Sequence, residues 1–178
     1  DYIEEHVVRP LKMKDSGFWH TPETAMRSFV KSEDHKKYFE KIISGEIIGR
    51  EDDGSIWAKI PNTGGGIHST AYDLVRFGNA FVNNGRLDGA RILGRKSVEK
   101  MSTKQLHNIP DYCWGANEPD RLYGIGFDMR QGLSYSYSEG TIMHEGAGAS
   151  SLDIDPKEQL VAAWFVPWDE GANGWSAE

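Results

Sequence analysis

A chain of 178 residues with 38% apolar and 11% aromatic side chains is long enough for one domain or most of one, and too apolar for disorder. Its formal charge of −7 weighs against nucleic acid or an anionic membrane as the main partner. Cys113 is the single cysteine, which excludes an internal disulfide, and no apolar run is long enough to cross a bilayer.

Residues 1–9 read as the last turns of an amphipathic helix, with Ile3, Val7 and Leu11 recurring at four-residue spacing and Arg9-Pro10 ending it. The chain opens inside this helical pattern without an initiator methionine and stops at Trp175-Ser176-Ala177-Glu178 without a closing element. The expectation is a piece of a longer protein, so the lack of a signal peptide says nothing about compartment. Thr21-Pro22 marks the next helix start, Thr21 as cap and Pro22 in the first helical position. One or two helices are expected up to residue 43, interrupted by the solvated charge run Ser32–Lys37. Asp52-Asp53-Gly54 reads as a hairpin tip, and Gly64-Gly65-Gly66 as a sharp turn.

Thr70 and Asp73 suit a capping pair, and Leu74, Phe77, Phe81 and Val82 share the face of a helix closed by Asn83-Asn84-Gly85. Two short extended pieces flank Asp88-Gly89, and Ser97 is expected to cap a helix from Val98 to about Lys104. From Leu122 the period changes. Strands are expected at 122–129, 141–144, 150–154 and 159–166, the last two joined by a tight turn at Asp155-Pro156-Lys157-Glu158. The unbroken apolar run of the last strand predicts burial on both faces. Helices first and a consecutive meander last give an α+β fold. It is read as a single partial domain over 1–178: a helical and loop part to residue 120, antiparallel strands over 121–168, and a truncated tail over 169–178.

The stretch Gly140–Asp155 organises the chemistry. His144 lies at the end of a strand beside Gly146, Ala147, Gly148 and Ala149. Small side chains leave room for a ligand against the backbone, whose N–H groups can stabilise an oxyanion, and an imidazole there can donate to substrate or relay a proton. On residue pattern alone, a satisfied structural histidine is the commoner case. Glu145 points to the other face of a strand. No second histidine stands at the zinc-helix spacing, and the triple glycine lacks the Lys and Ser or Thr of a phosphate loop. Neither a metal nor a cofactor is called for. Ser28-Phe29-Val30-Lys31 and Ser97-Val98-Glu99-Lys100 each place a hydroxyl one turn from an amine, but both are read as chance matches.

Several segments, taken in order, resemble the serine β-lactamase and penicillin-binding-protein-like superfamily, in particular its class C-like esterase and D-aminopeptidase branch. They are Tyr2–Val7 with Pro10–Phe18, Gly64–Phe77, Gly85–Leu93, Tyr123-Gly124-Ile125-Gly126-Phe127, and His144-Glu145-Gly146 running on to Asp153-Ile154-Asp155-Pro156. The resemblance implies an antiparallel sheet flanked by helices, here incomplete. It also implies a site of three elements: a nucleophilic Ser with Lys on a helix, a Tyr-x-Asn-type element, and a Lys-Thr-Gly-type strand. Only the third maps onto this chain, at His144-Glu145-Gly146. Its His in place of Lys is similar to the esterase and peptidase branch and departs from the penicillin-hydrolysing pattern. By the same resemblance Ala147 would lend a backbone N–H to the oxyanion hole.

The resemblance thus implies a C-terminal part of a serine hydrolase acting on small esters, amides or D-amino-acid peptides, its Ser lying upstream and the present chain inactive alone. The alternative is a non-catalytic relative of the same fold that binds peptides or cell-wall fragments. Oligomeric state and compartment are not readable from the sequence.

Overall fold

The computed structural model describes residues 2–30, 33–47, 61–112, 119–129, 137–146 and 150–166. The expected turn at 52–54, Cys113 and Ala147 lie outside the described residues. The chain forms two compact units. One comprises 1–14, 71–145 and 151–164, and the other 15–70, 146–150 and 165–178.

In the first unit the opening helix, Glu4–Val8, is wound in the wide π register, with the Arg9 amide on the Glu4 carbonyl and the Met13 amide on the Val8 carbonyl, each at 3.0 Å. Its apolar face behaves as the spacing predicts. Val8, Leu11 and Met13 are buried with Ala80, and Ile3, Val7 and Phe77 pack around them. Helix α3, Ala71–Val82, places Leu74, Phe77, Phe81 and Val82 on the core side. Asn84 and Gly85, both at positive φ, end it, the Gly85 amide returning to the Ala80 carbonyl at 2.7 Å. Arg76 ties α3 to its surroundings: Nε donates to the Leu11 carbonyl at 2.6 Å and Nη2 to Asp88 at 2.5 Å.

Strands β1 (Arg86–Leu87) and β2 (Ala90–Arg91) pair antiparallel about Asp88-Gly89, both residues at positive φ, as a type I′ hairpin requires. Helix α4 is Arg95–Met101. Ser97 is therefore not its cap. Gly94 stands there, and the Ser97 and Val98 amides return to the Gly94 carbonyl at 3.0 and 3.1 Å.

The sheet runs in the order β3 (Asp128–Met129), β4 (Ile142–Gly146), β5 (Ser150–Asp155), β6 (Leu160–Phe165). β3 and β4 are antiparallel, with Asp128 opposite Met143 and Met129 opposite Ile142. Links of a few residues cannot carry a parallel crossover, so β4, β5 and β6 form an antiparallel meander. The β5–β6 turn is built on Asp155, whose carboxylate accepts from the amides of Lys157 and Glu158 at 3.0 Å each. Burial raises the pKa of that carboxyl, but these amides and the Ser138 hydroxyl outweigh it and hold it below the usual range.

The core joins α3 and α4 to one face of this sheet: Phe81, Val98, Phe127, Ile142, Leu152 and Ile154, with Val161 and Ala163 beside them. Facing β6, Gly78 leaves room on α3 that a methyl would fill by colliding with Val161. On the opposite face of β5 the buried groups are polar: Asp153 accepts from the Tyr137 and Ser151 hydroxyls, each at 2.9 Å.

Two expectations change here. The segment 122–129 is not one strand. It folds back on itself, with Tyr123 bridged to Asp128, the Gly124 amide on the Phe127 carbonyl at 2.8 Å, and Gly126 at positive φ making the bend. Nor is β6 buried on both faces. Leu160 is 58% exposed and Trp164 45%, because β6 is the last strand of the sheet among the described residues and apolar composition cannot say what covers a strand.

In the second unit α1 is Pro22–Arg27, with the expected cap. Thr21 and Thr24 exchange side-chain-to-amide bonds at 3.2 and 2.8 Å. Helix α2, Glu33–Ser44, begins within the charge run expected to interrupt it, its acidic residues occupying the first turn where the helix dipole favours them. Ala25, Phe39, Ile42 and Ile47 form the core of this unit.

Candidate active site

β4 presents His144. Thr141, Ile142 and Met143 are buried and anchor the strand, while His144 emerges exposed and Glu145 and Gly146 are half-buried. Nδ1 of His144 lies 2.7 Å from the Glu145 carbonyl oxygen, and Nε2 lies 3.4 Å from the Tyr123 hydroxyl. The ring is thus held on both nitrogens while its edge stays open to solvent.

Tyr123 is itself fixed. The Arg121 guanidinium lies 5.2 Å from its ring centroid. Arg121 bridges Asp111 and Asp128, Nη2 reaching Asp128 Oδ2 at 2.6 Å. The Asp128 carboxylate foremost, and Asp111 with it, raise the Arg121 pKa against the opposing effect of burial. The side chains of Arg121 and Asp128 are 26% and 20% exposed, sheltered enough for charge-assisted bonds to hold geometry.

Gly146 is closely packed within the chain. A Cβ there would stand 2.5 Å from Ser150 Oγ. The structure therefore brings His144 and Gly146 together on one strand, while Ala147 lies outside the described residues. Ser97 sits inside the first turn of α4, and Ser28 ends α1. The Ser28 hydroxyl stands 3.3 Å from His20 Nδ1 but donates to the Thr24 carbonyl at 2.8 Å, which occupies the proton a nucleophile would have to lose. Among the described residues no group of three His, Cys, Asp or Glu could hold a metal, and no helix is long and apolar enough to cross a membrane.

Sequence reasoning misses Tyr123 and Arg121 as neighbours of the imidazole, because the Tyr-Gly-Ile-Gly-Phe segment fits a strand. Its second glycine, at positive φ, is the available sign of a fold-back.

The family model described as Beta-lactamase matches residues 1–174. Protein Rv1367c of Mycobacterium tuberculosis is 27% identical over 177 residues, an alignment covering 92% of this chain and 42% of that protein. Among solved structures, the unliganded simvastatin synthase LovD of Aspergillus terreus matches with a TM-score of 0.63 at 18% identity, covering 96% of this chain and 46% of that one. A penicillin-binding protein homolog from Caulobacter crescentus matches with a TM-score of 0.57 at 17% identity, covering 91% and 44%. These two likenesses show the fold. The chain spans less than half the length of each relative.

Proposed function

This chain belongs to the Beta-lactamase family, and from that premise we propose that it is the C-terminal part of a serine hydrolase acting on small esters, amides or D-amino-acid peptides. The nucleophilic Ser, with its Lys and Tyr partners, comes from the part of the parent that precedes residue 1. In support, the curated relative is more than twice as long as its match to this chain, which covers 42% of it. The Ser oxygen attacks the substrate carbonyl, the alcohol or amine leaves, and water then resolves the acyl-enzyme to acid and free Ser.

The observation that carries this reading is an exposed imidazole on a strand whose next but one residue is a close-packed glycine. His144 orients the substrate and supports proton transfer. Gly146 keeps the strand edge clear. The Ala147 backbone N–H serves as one oxyanion donor, the Ser amide as the other.

A chromogenic ester assay on the full-length parent tests it. His144→Ala is expected to lower kcat/KM by about 10²-fold or more, the usual weight of a positioned acid–base group. Undiminished turnover removes His144 from the mechanism. The present chain alone is expected to show no turnover, and hydrolysis by it that disappears on Ser28→Ala or Ser97→Ala would overturn the upstream nucleophile.

A further inference from the structure

Building on the role proposed for His144, we infer that Tyr123 is a positioning residue whose hydroxyl keeps the His144 proton on Nδ1 and leaves the Nε2 lone pair as the atom offered to the reaction. A carbonyl oxygen only accepts, so the 2.7 Å separation between Nδ1 and the Glu145 oxygen favours the proton of the neutral ring on Nδ1. Nε2 is then bare, and the partner 3.4 Å away, the Tyr123 hydroxyl, donates to it. The two bonds favour the same tautomer.

The fold supplies the rest. Asp128 is the register partner of Met143, the residue before His144, and is also bridged to Tyr123 across the bend at 124–127. One carboxylate therefore meets two demands directly and a third through Arg121. Its Oδ1 accepts the Met129 amide at 3.0 Å, its Oδ2 holds Arg121, and Arg121 lies over the Tyr123 ring. Asp111 grips the other arm of Arg121. The tyrosine that faces the imidazole is thus fixed from the strand next to the one carrying the imidazole.

The chemical consequence is a choice between two roles. With the proton on Nδ1, neutral His144 is an acceptor toward substrate and not a donor. In the water step an O–H bond of water breaks, its proton forms an N–H bond at Nε2, and the hydroxide oxygen bonds to the acyl carbon as the carbonyl pair moves onto oxygen; re-forming the carbonyl then breaks the acyl–Ser C–O bond, and the Ser oxygen takes the proton back from Nε2. The Nδ1–H bond to Glu145 is unchanged throughout. A hydroxyl contact of 3.4 Å is long for an O–H donor, so the incoming water displaces it at little cost.

The test reads the tautomer directly. Long-range 1H–15N correlation of the histidine rings in this protein, above the pH at which they protonate, with His144→Gln for assignment, is expected to show protonated Nδ1 and bare Nε2 at His144. Tyr123→Phe keeps the ring under Arg121 and removes only the hydroxyl. It is expected to move His144 toward the Nε2–H form, with the backbone amide fingerprint otherwise unchanged. Nε2–H in the wild type overturns the inference, as does an unaltered tautomer in a folded Tyr123→Phe. In the full-length parent the same variant should lower kcat by roughly fivefold to tenfold with KM little changed, the scale of one hydrogen bond. A parent that hydrolyses nothing removes the functional reading, while the tautomer measurement still decides the role of Tyr123.

Discussion

Two histidines show how differently this fold treats the same side chain. His68 lies in the second unit, bridged to Gly17 through amide–carbonyl bonds of 3.1 and 2.9 Å and stacked on His20 with ring centroids 3.9 Å apart. Burial, and then the neighbouring charge of His20, push its pKa down to about 4, Asp15 pulling weakly the other way. His20 is lowered as well, by burial and then by His35. His144, in the first unit, has solvent on one side and hydrogen-bond partners on both nitrogens. The first environment removes the charge and uses the ring as packing. The second keeps the ring accessible, with a hydrogen-bond partner at each nitrogen. Surroundings, not residue type, separate a ring used as packing from one left open to solvent.

That contrast can be broken by measurement. The largest stability effect should come from His68→Ala, which removes a stacked ring and is expected to cost about 2 kcal/mol in denaturant unfolding. His144→Ala should stay within about 0.5 kcal/mol, as exposed positions do. Equal costs would erase the distinction.

A somewhat smaller effect is the acid sensitivity of the wild type. His68 binds a proton more readily unfolded, near 6.5, than folded, near 4, so stability is complete above pH 6.5 and falls as pH drops toward 4. The loss attributable to this residue is about 1–2 kcal/mol once solvent screening is allowed for, and it should vanish in His68→Gln. A stability curve flat between those pH values would refute the expulsion of charge.

Smallest are the glycines beside each ring. A Cβ at Gly17 would meet His68 Cε1 at 3.6 Å, an ordinary contact, whereas one at Gly146 would meet Ser150 Oγ at 2.5 Å. Gly17→Ala should therefore be nearly neutral, and Gly146→Ala should cost roughly 1 kcal/mol, recovered in the double variant with Ser150→Ala.

The sequence disclosed most where a local rule was sufficient. The Thr21-Pro22 start, the α3 face, the Asn84-Gly85 stop and the Asp88-Gly89 hairpin each rest on a backbone preference legible in a few residues. His144 on a strand beside Gly146 was legible for the same reason. What failed needed a partner distant in the chain. Alternating apolar residues and glycines at 122–129 fit a strand as well as a fold-back, and only the pairing of Tyr123 with Asp128 decides between them. The Tyr123–His144 contact spans 21 positions and depends on that bend. Ser97 had the right chemistry for a cap, but α4 begins two residues earlier, at Arg95.

The outward row of β6 has a consequence for how copies of this chain meet. Leu160, Ala162 and Trp164 present a greasy margin on the last strand of the sheet among the described residues, and the net charge of −7 opposes close approach. Added salt weakens that repulsion, whose reach is about 8 Å at physiological ionic strength, and leaves the attraction intact. Clustering should therefore increase with ionic strength, and Leu160→Lys or Trp164→Lys should suppress it through that margin more than through overall charge.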